Sequence, residues 1–187
     1  MNSIDGILTE ADDKMKKAED ALRRELVAIR TGRANSGLVD HLLVDYHGTL
    51  VPLNQLANIS IPESRIILIQ PWDRSSLHTI EKAILKSELG LNPNNDGNVI
   101  RLVLPQLTED RRKELVRVVH KKLEDGRVSL RNIRRDAVEH LKKLEKDRHI
   151  SADDVHRSQD KLQKLTDKCM VEVDRLGESK EAELMEV

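Results

Sequence analysis

The 187-residue chain carries 32 Lys and Arg against 33 Asp and Glu, a formal net charge of -1, which does not suit a wholly non-specific polyanion binder. Charged residues make up 35%, against roughly a quarter in ordinary globular domains, while Phe is absent and Tyr46 and Trp72 are the only aromatics. That profile favours long, charge-coated helices with aliphatic cores; the single Cys169 excludes an internal disulfide or a multi-cysteine metal cluster, and no apolar run approaches the roughly 20 residues needed to span a bilayer.

The N-terminal stretch "MNSIDGILTEADDK" is acidic and resembles neither a signal peptide nor an arginine-rich transit peptide, so a cytoplasmic protein is expected. From Ile4 the apolar residues recur at steps of three and four: Leu8, Ala11, Met15, Ala18, Leu22, Leu26 and Ile29. This is the period that lines up one face of a helix. Gly32 in "IRTGRA" reads as its left-handed terminator, with Arg30 placed to complement the helix C-terminus.

The period changes between residues 31 and 105. This segment holds all five prolines and the short β-rich runs "LLVDY", "ISI", "RIILIQ" and "VIRLVL". "YHGTL" and "NPNNDGN" read as turns, and "SSLHTIEKAILKSELG" as one short helix stopped by Gly90. Trp72 in "QPWDRS" suits the core of this small domain, the other reading being an anchor for a partner.

Thr108 then offers an N-cap, with Glu109 and Asp110 in the first turn of a helix that would run for about 40 residues, a rod of about 55 to 60 Å. Its seam is Leu115, Val119, Leu123, Gly126, Leu130, Ile133, Ala137, Leu141 and Leu144. In "ISADDV", Ser151 and Asp154 form a capping-box variant, and Ile150 and Val155 are spaced for a hydrophobic staple. A third helix follows, with its seam at Val155, Ser158, Leu162, Leu165, Cys169, Val173 and Leu176. The fold class expected is α+β: an elongated three-helix bundle from residues 1–30 and 106–187, carrying a β/α/β domain inserted at 31–105. The two chain crossings, at Thr31, Gly32 and Arg33 and at Leu104 and Pro105, would form a hinge.

The second long helix sorts its charge. On a wheel of about 100° per residue with Leu130 as origin, Arg134, Arg127, Arg131, Lys142, Arg135, Lys113 and Arg117 fall between about +40° and +140°, beside the apolar seam. Most acids fall on the far side, although Glu124 and Glu145 intrude. Residues 107–146 carry 13 Lys and Arg against 8 Asp and Glu, a net of +5, whereas 147–187 are at 7 against 11, a net of -4. Charge runs on long helices are usually solvated faces supported by neighbouring helices. The sorting onto one side and the guanidinium bias of "RNIRR" point instead to phosphate, which the planar Arg fork recognises. With almost no aromatics for base stacking, helical folded RNA fits better than a single strand.

An enzyme finds little support: there is no HExxH, CxxC, Gly-rich phosphate loop or GxSxG elbow. The seven histidines are scattered, and Cys169 lies on a helix seam where a buried structural thiol is expected. No metal site or cofactor is indicated. A helical adaptor that binds protein through the bundle is the competing class.

"IRTGRA", "PWDRS", "IEKAI", "LGLNPNNDG", "IRLVLPQLTEDRRKEL", "RNIRRDA" and the closing "AELM" resemble the bacterial ribosome recycling factor family, in order and along essentially the whole chain. The resemblance implies an L-shaped molecule and a monomeric translation factor. It would bind the large ribosomal subunit and its 23S-type RNA in the tRNA region after termination. With elongation factor G and GTP it would split the ribosome, and it would associate with no membrane. It implies RNA contact at Arg131, Arg134 and Arg135, with Arg127 one turn earlier, and at Arg30 and Arg33 near the hinge. Ser36, Ser76 and Val138 stand where the family commonly has Pro, Met and Asn.

Overall fold

A computed structural model describes residues 3–147 and 149–186. In chain order the elements are α1 (Ile4–Val27), β1 (Leu43–Tyr46), β2 (Thr49–Pro52), α2 (Leu53–Leu56), β3 (Ala57–Glu63), β4 (Ile66–Pro71), α3 (Leu77–Lys86), β5 (Pro93–Asn95), β6 (Ile100–Val103), α4 (Glu109–Lys146) and α5 (Ala152–Met185). The protein is thus α+β, as its patterning predicts. Two compact units divide it, one of Met1–Leu26 with Val116–Glu181 and the other of Val27–Leu115 with Ala182–Val187.

The first unit is a three-helix bundle of α1, α4 and α5. Its seams follow most of the predicted positions: Met15, Leu141 and Leu162 are fully buried, and Leu22, Val119, Leu130, Ala137, Val155, Ser158, Cys169 and Val173 are buried with them. Leu8, Ala18, Leu165 and Leu176 are half-buried, Ile29 lies past the end of α1, and Ile7, Thr166 and, further along α5, Leu184 are buried outside the predicted stripes. Burying each large aliphatic side chain stabilises by about 1.5 to 3 kcal/mol. Both starts are capped as expected. The Arg111 N–H donates to Thr108 Oγ1 at 3.2 Å, and the Asp154 N–H to Ser151 Oγ at 3.1 Å, while Asp154 Oδ2 accepts from the Ser151 N–H at 3.3 Å. Ile150 packs against the cluster that contains Val155, the placement a staple requires. Two glycines let the helices approach closely: a Cβ on Gly126 would lie 3.1 Å from Leu22 Cδ2, and one on Gly177 would lie 2.4 Å from Leu123 Cδ1.

The second unit holds a hairpin, β1 with β2, and an antiparallel four-stranded sheet in the order β3-β4-β6-β5. Strand alternation explains its core, with Ile67, Ile69, Ile100 and Leu102 fully buried beside Ile80 and Ile84 of α3 and Val44 and Leu53. In the hairpin turn His47 and Gly48 have φ of 52° and 84°, the left-handed pair that a tight two-residue connection requires.

Four expectations are corrected. Helix α1 ends at Val27, and Gly32 is not among the residues with positive φ. Contacts within the second unit override the helical period there: the Gly37 backbone lies against Val27, and the Arg30 guanidinium reaches Pro105. Gly90 does have a φ of 65°, but α3 stops earlier, at Lys86, where the Ser87 hydroxyl donates to the Ile84 carbonyl at 2.6 Å. "NPNNDGN" contains the short edge strand β5 before its turn, because residues 93–95 find partners on β6. Trp72 is not a core residue but 71% exposed. Ile67, Ile69 and Pro71 take the inward positions of β4, so the next residue points outward and aliphatic side chains fill the interior without it.

Candidate nucleic-acid interface

Helix α4 presents Arg127, Arg131, Arg134 and Arg135 from within the bundle, and the structure separates them by partner. Arg127 Nη2 donates to Asp174 Oδ1 on α5 at 2.7 Å, and its Nη1 lies 3.6 Å from Glu124 Oε2. Arg131 Nη2 donates to Glu124 Oε1 at 2.7 Å. Glu124, which intrudes on the basic side of the wheel, therefore straps two of the four guanidiniums. The hydrogen bond from Arg131, then its charge and that of Arg127, hold the Glu124 carboxyl below the ordinary carboxylate range.

Arg134 Nη1 donates to the neutral Oε1 of Gln163 at 2.9 Å, which positions its fork without cancelling its charge. Arg135 is exposed, and its side chain has no hydrogen bond or ion pair among the described residues. The side chains of Arg117 and Lys142, on the same side of the wheel, are likewise unpaired there. The ridge thus has one row that pairs with no carboxylate among the described residues, beside a row, Arg127 and Arg131, tied to Glu124 and Asp174. Exposed ion pairs are weak and exchangeable, so the tied arginines can trade carboxylate for phosphate.

Arg30 and Arg33 lie in the second unit. Arg30 Nη2 donates to the Pro105 carbonyl at 3.0 Å, which ties the two chain crossings together, while its Nε is buried without a hydrogen-bond partner among the described residues. Burial, then the charge of Arg111, lowers its pKa. Arg33 makes a forked pair with Glu186, Nε to Oε2 at 2.9 Å and Nη2 to Oε1 at 3.1 Å. Thr31 is buried, and its Oγ1 accepts from the Arg33 N–H at 3.2 Å. Leu104 is fully buried, its N–H donating to the Arg65 carbonyl at 2.8 Å. Gly32 and Arg33 line a cavity of about 350 Å³ with Arg65, Arg112 and Glu186. The predicted crossing residues therefore share one unit, but Arg30 and Arg33 already serve internal contacts.

Sequence reasoning overlooked Glu124, Gln163 and Asp174 as partners of the ridge. Spacings of three and seven from Glu124 to Arg127 and Arg131 carry a signal for the first; the other two depend on how α5 packs. Cys169 is buried, as expected, and burial pushes its thiol pKa up. Among the described residues no group of three or more His, Cys, Asp or Glu is placed to hold a metal ion, and no helix is long and apolar enough to cross a membrane.

These features define a class: an α+β protein whose three-helix bundle carries an arginine ridge, accompanied by a small β-containing domain. The family model described as ribosome recycling factor matches residues 22–185. The ribosome-recycling factor of Desulfitobacterium hafniense is 59% identical over 184 residues, covering 98% of this chain and 100% of that protein. That of Chloroflexus aggregans is 54% identical with the same coverage. A solution structure of ribosome recycling factor superposes with a TM-score of 0.81 at 48% identity, covering 98% of both chains. A second similar structure, with a TM-score of 0.70 at 44% identity over 98% of this chain and 100% of that one, comes from models of the T. thermophilus ribosome recycling factor and E. coli elongation factor G bound to the E. coli post-termination complex. The chain belongs to the ribosome recycling factor family.

Proposed function

We propose that this protein binds the post-termination ribosome as a monomer, against the 23S-type RNA of the large subunit, and with elongation factor G and GTP splits it into subunits, releasing messenger and tRNA. The observation that carries the reading is the ridge of α4, where Arg134 and Arg135 hold guanidiniums that no carboxylate among the described residues neutralises. Such forks suit the phosphates of folded RNA. Arg127 and Arg131 join them by exchanging Glu124 and Asp174 for phosphate, and Arg30 and Arg33 contact RNA beside the crossings. Residues 1–30 and 106–187 act as the RNA-binding body and 31–105 as the arm that meets the elongation factor. Thr31, Gly32, Arg33, Leu104 and Pro105 serve as the hinge. The protein works in the cytoplasm, needs no cofactor, and performs no bond chemistry of its own; the GTP is hydrolysed by its partner.

Light scattering of 70S post-termination complexes mixed with the protein, elongation factor G and GTP tests this reading. Scattering is expected to fall with the wild type and to persist with Arg131, Arg134 and Arg135 all changed to Glu. Persistent scattering with the wild type and a cognate elongation factor refutes the proposal.

A further inference from the structure

We propose that Gln163 and Asp167 of α5 are positioning residues for RNA binding, a carboxylate-to-amide relay that holds the Arg134 guanidinium of α4 with one edge open to phosphate. The inference rests on the RNA-binding reading of the α4 ridge and adds to it two residues from the neighbouring helix.

Gln163 and Asp167 stand four residues apart on α5, so their side chains are neighbours on one face of that helix. Gln163 Nε2 donates to Asp167 Oδ1 at 2.7 Å, and Gln163 Oε1 accepts from Arg134 Nη1 at 2.9 Å. An ionised carboxylate only accepts and a guanidinium only donates. The amide between them therefore has a single orientation, nitrogen towards Asp167 and oxygen towards Arg134, and turning it over would break both bonds. Gln163 and Asp167 are both exposed, so the bundle core does not account for either side chain. A Gln and Asp pair at this spacing supports a helix by itself, but that role leaves the bond across to α4 unexplained.

Arg134 commits only Nη1 to the relay. Its Nε and Nη2 make no hydrogen bond among the described residues and are not buried, which leaves open the edge that offers two parallel N–H groups to one phosphate. Fixing the fork before RNA arrives spares the entropy of immobilising a long, flexible side chain on binding. A carboxylate facing Arg134 would fix it equally well but cancel its charge, as Asp174 does for Arg127 at 2.7 Å. The neutral amide separates the two effects: Asp167 orients Gln163, and Gln163 orients Arg134, without an ion pair between the two charged groups.

Nitrogen-15 relaxation of the free protein reads the positioning directly. The Arg134 Nε–H order parameter should exceed about 0.6 in the wild type. It should fall below that value in Gln163→Met, which keeps the length and loses the acceptor, and in Asp167→Ala, which unfastens the amide. Anisotropy against purified large subunits, across a salt series, reads the consequence. Gln163→Met should weaken binding about two- to tenfold with the salt slope unchanged, because no charge is lost. Gln163→Glu should lower the slope by about 0.9 and the affinity about eightfold at about 0.1 M monovalent salt. Because Gln163 acts through Arg134, adding Gln163→Met to Arg134→Ala should cost nothing further, whereas a merely structural role in α5 would cost the same in both backgrounds. An Arg134 order parameter unchanged in either variant, a Gln163→Met affinity equal to the wild type, or additive losses in the double variant would each overturn the proposal. Wild-type protein that fails to bind large subunits would overturn the recycling reading and with it the phosphate role, while the order parameters would still decide the positioning.

Discussion

Glu124→Gln should tighten binding to the large ribosomal subunit, the reverse of what losing a well-paired ridge residue usually does. The carboxylate holds exposed Arg131 by a hydrogen bond at 2.7 Å and half-buried Arg127 by an ion pair at 3.6 Å. Replacing it with an amide of the same shape leaves one more unit of positive charge on the ridge and frees two guanidiniums for phosphate. Each phosphate neutralised adds about 0.9 to the slope of log affinity against log salt. One extra charge therefore raises affinity about eightfold at about 0.1 M monovalent salt and about threefold at about 0.3 M. Anisotropy of the labelled protein against purified large subunits, across that salt range, measures both quantities. Arg135→Ala, measured alongside, should lower the slope by about 0.9. An unchanged slope for Glu124→Gln, or weaker binding at every salt concentration, would refute the argument that this strap competes with RNA.

Two further outcomes concern the bundle. Leu141→Ala removes a fully buried seam residue of α4 and should destabilise by about 2 to 5 kcal/mol, read from urea unfolding, with binding per folded molecule preserved. Glu172 on α5 accepts from Arg175 Nε at 2.8 Å and from Arg23 Nη2 of α1 at 3.1 Å, and these bonds lower its pKa to about 2. A depressed folded-state pKa contributes stability that is present above the unfolded value of about 4.3 and is lost as pH falls towards 2. Thermal melts of Glu172→Gln should therefore lose less stability than the wild type between those pH values; parallel curves would contradict the assignment.

Much of this molecule was readable from its sequence because the dominant forces act with short periods. Three seams at helical spacing define the bundle, and capping residues mark the starts of α4 and α5 within a residue. Readings failed where tertiary contacts overrule a local signal. Gly32 is a sound helix terminator in isolation, but Val27 packs against Gly37 and Arg30 bonds to Pro105, and the helix ends before it can reach Gly32. Trp72 is the largest apolar side chain in its segment, yet the alternation of β4 turns position 72 outward.

The arginine ridge divides along the same line. The angle of each arginine on α4 follows from its number, which is why Arg127, Arg131, Arg134 and Arg135 could be placed on one side without a structure. Whether that charge is available to a partner depends on the neighbouring helix: Asp174 reaches Arg127, whereas at Arg134 the facing residue is the neutral Gln163. A wheel drawn for one helix has no access to that difference. It ranks Arg127, at about 60°, with Arg134, at about 40°, as near equals. The packed structure instead leaves the second charged and the first neutralised from two sides. The contribution to RNA affinity should therefore follow pairing and not wheel position, with Arg134→Ala and Arg135→Ala each costing more affinity than Arg127→Ala. The reverse order would mean that RNA breaks the internal pairs at no cost, and the distinction between the two rows would then have no bearing on binding.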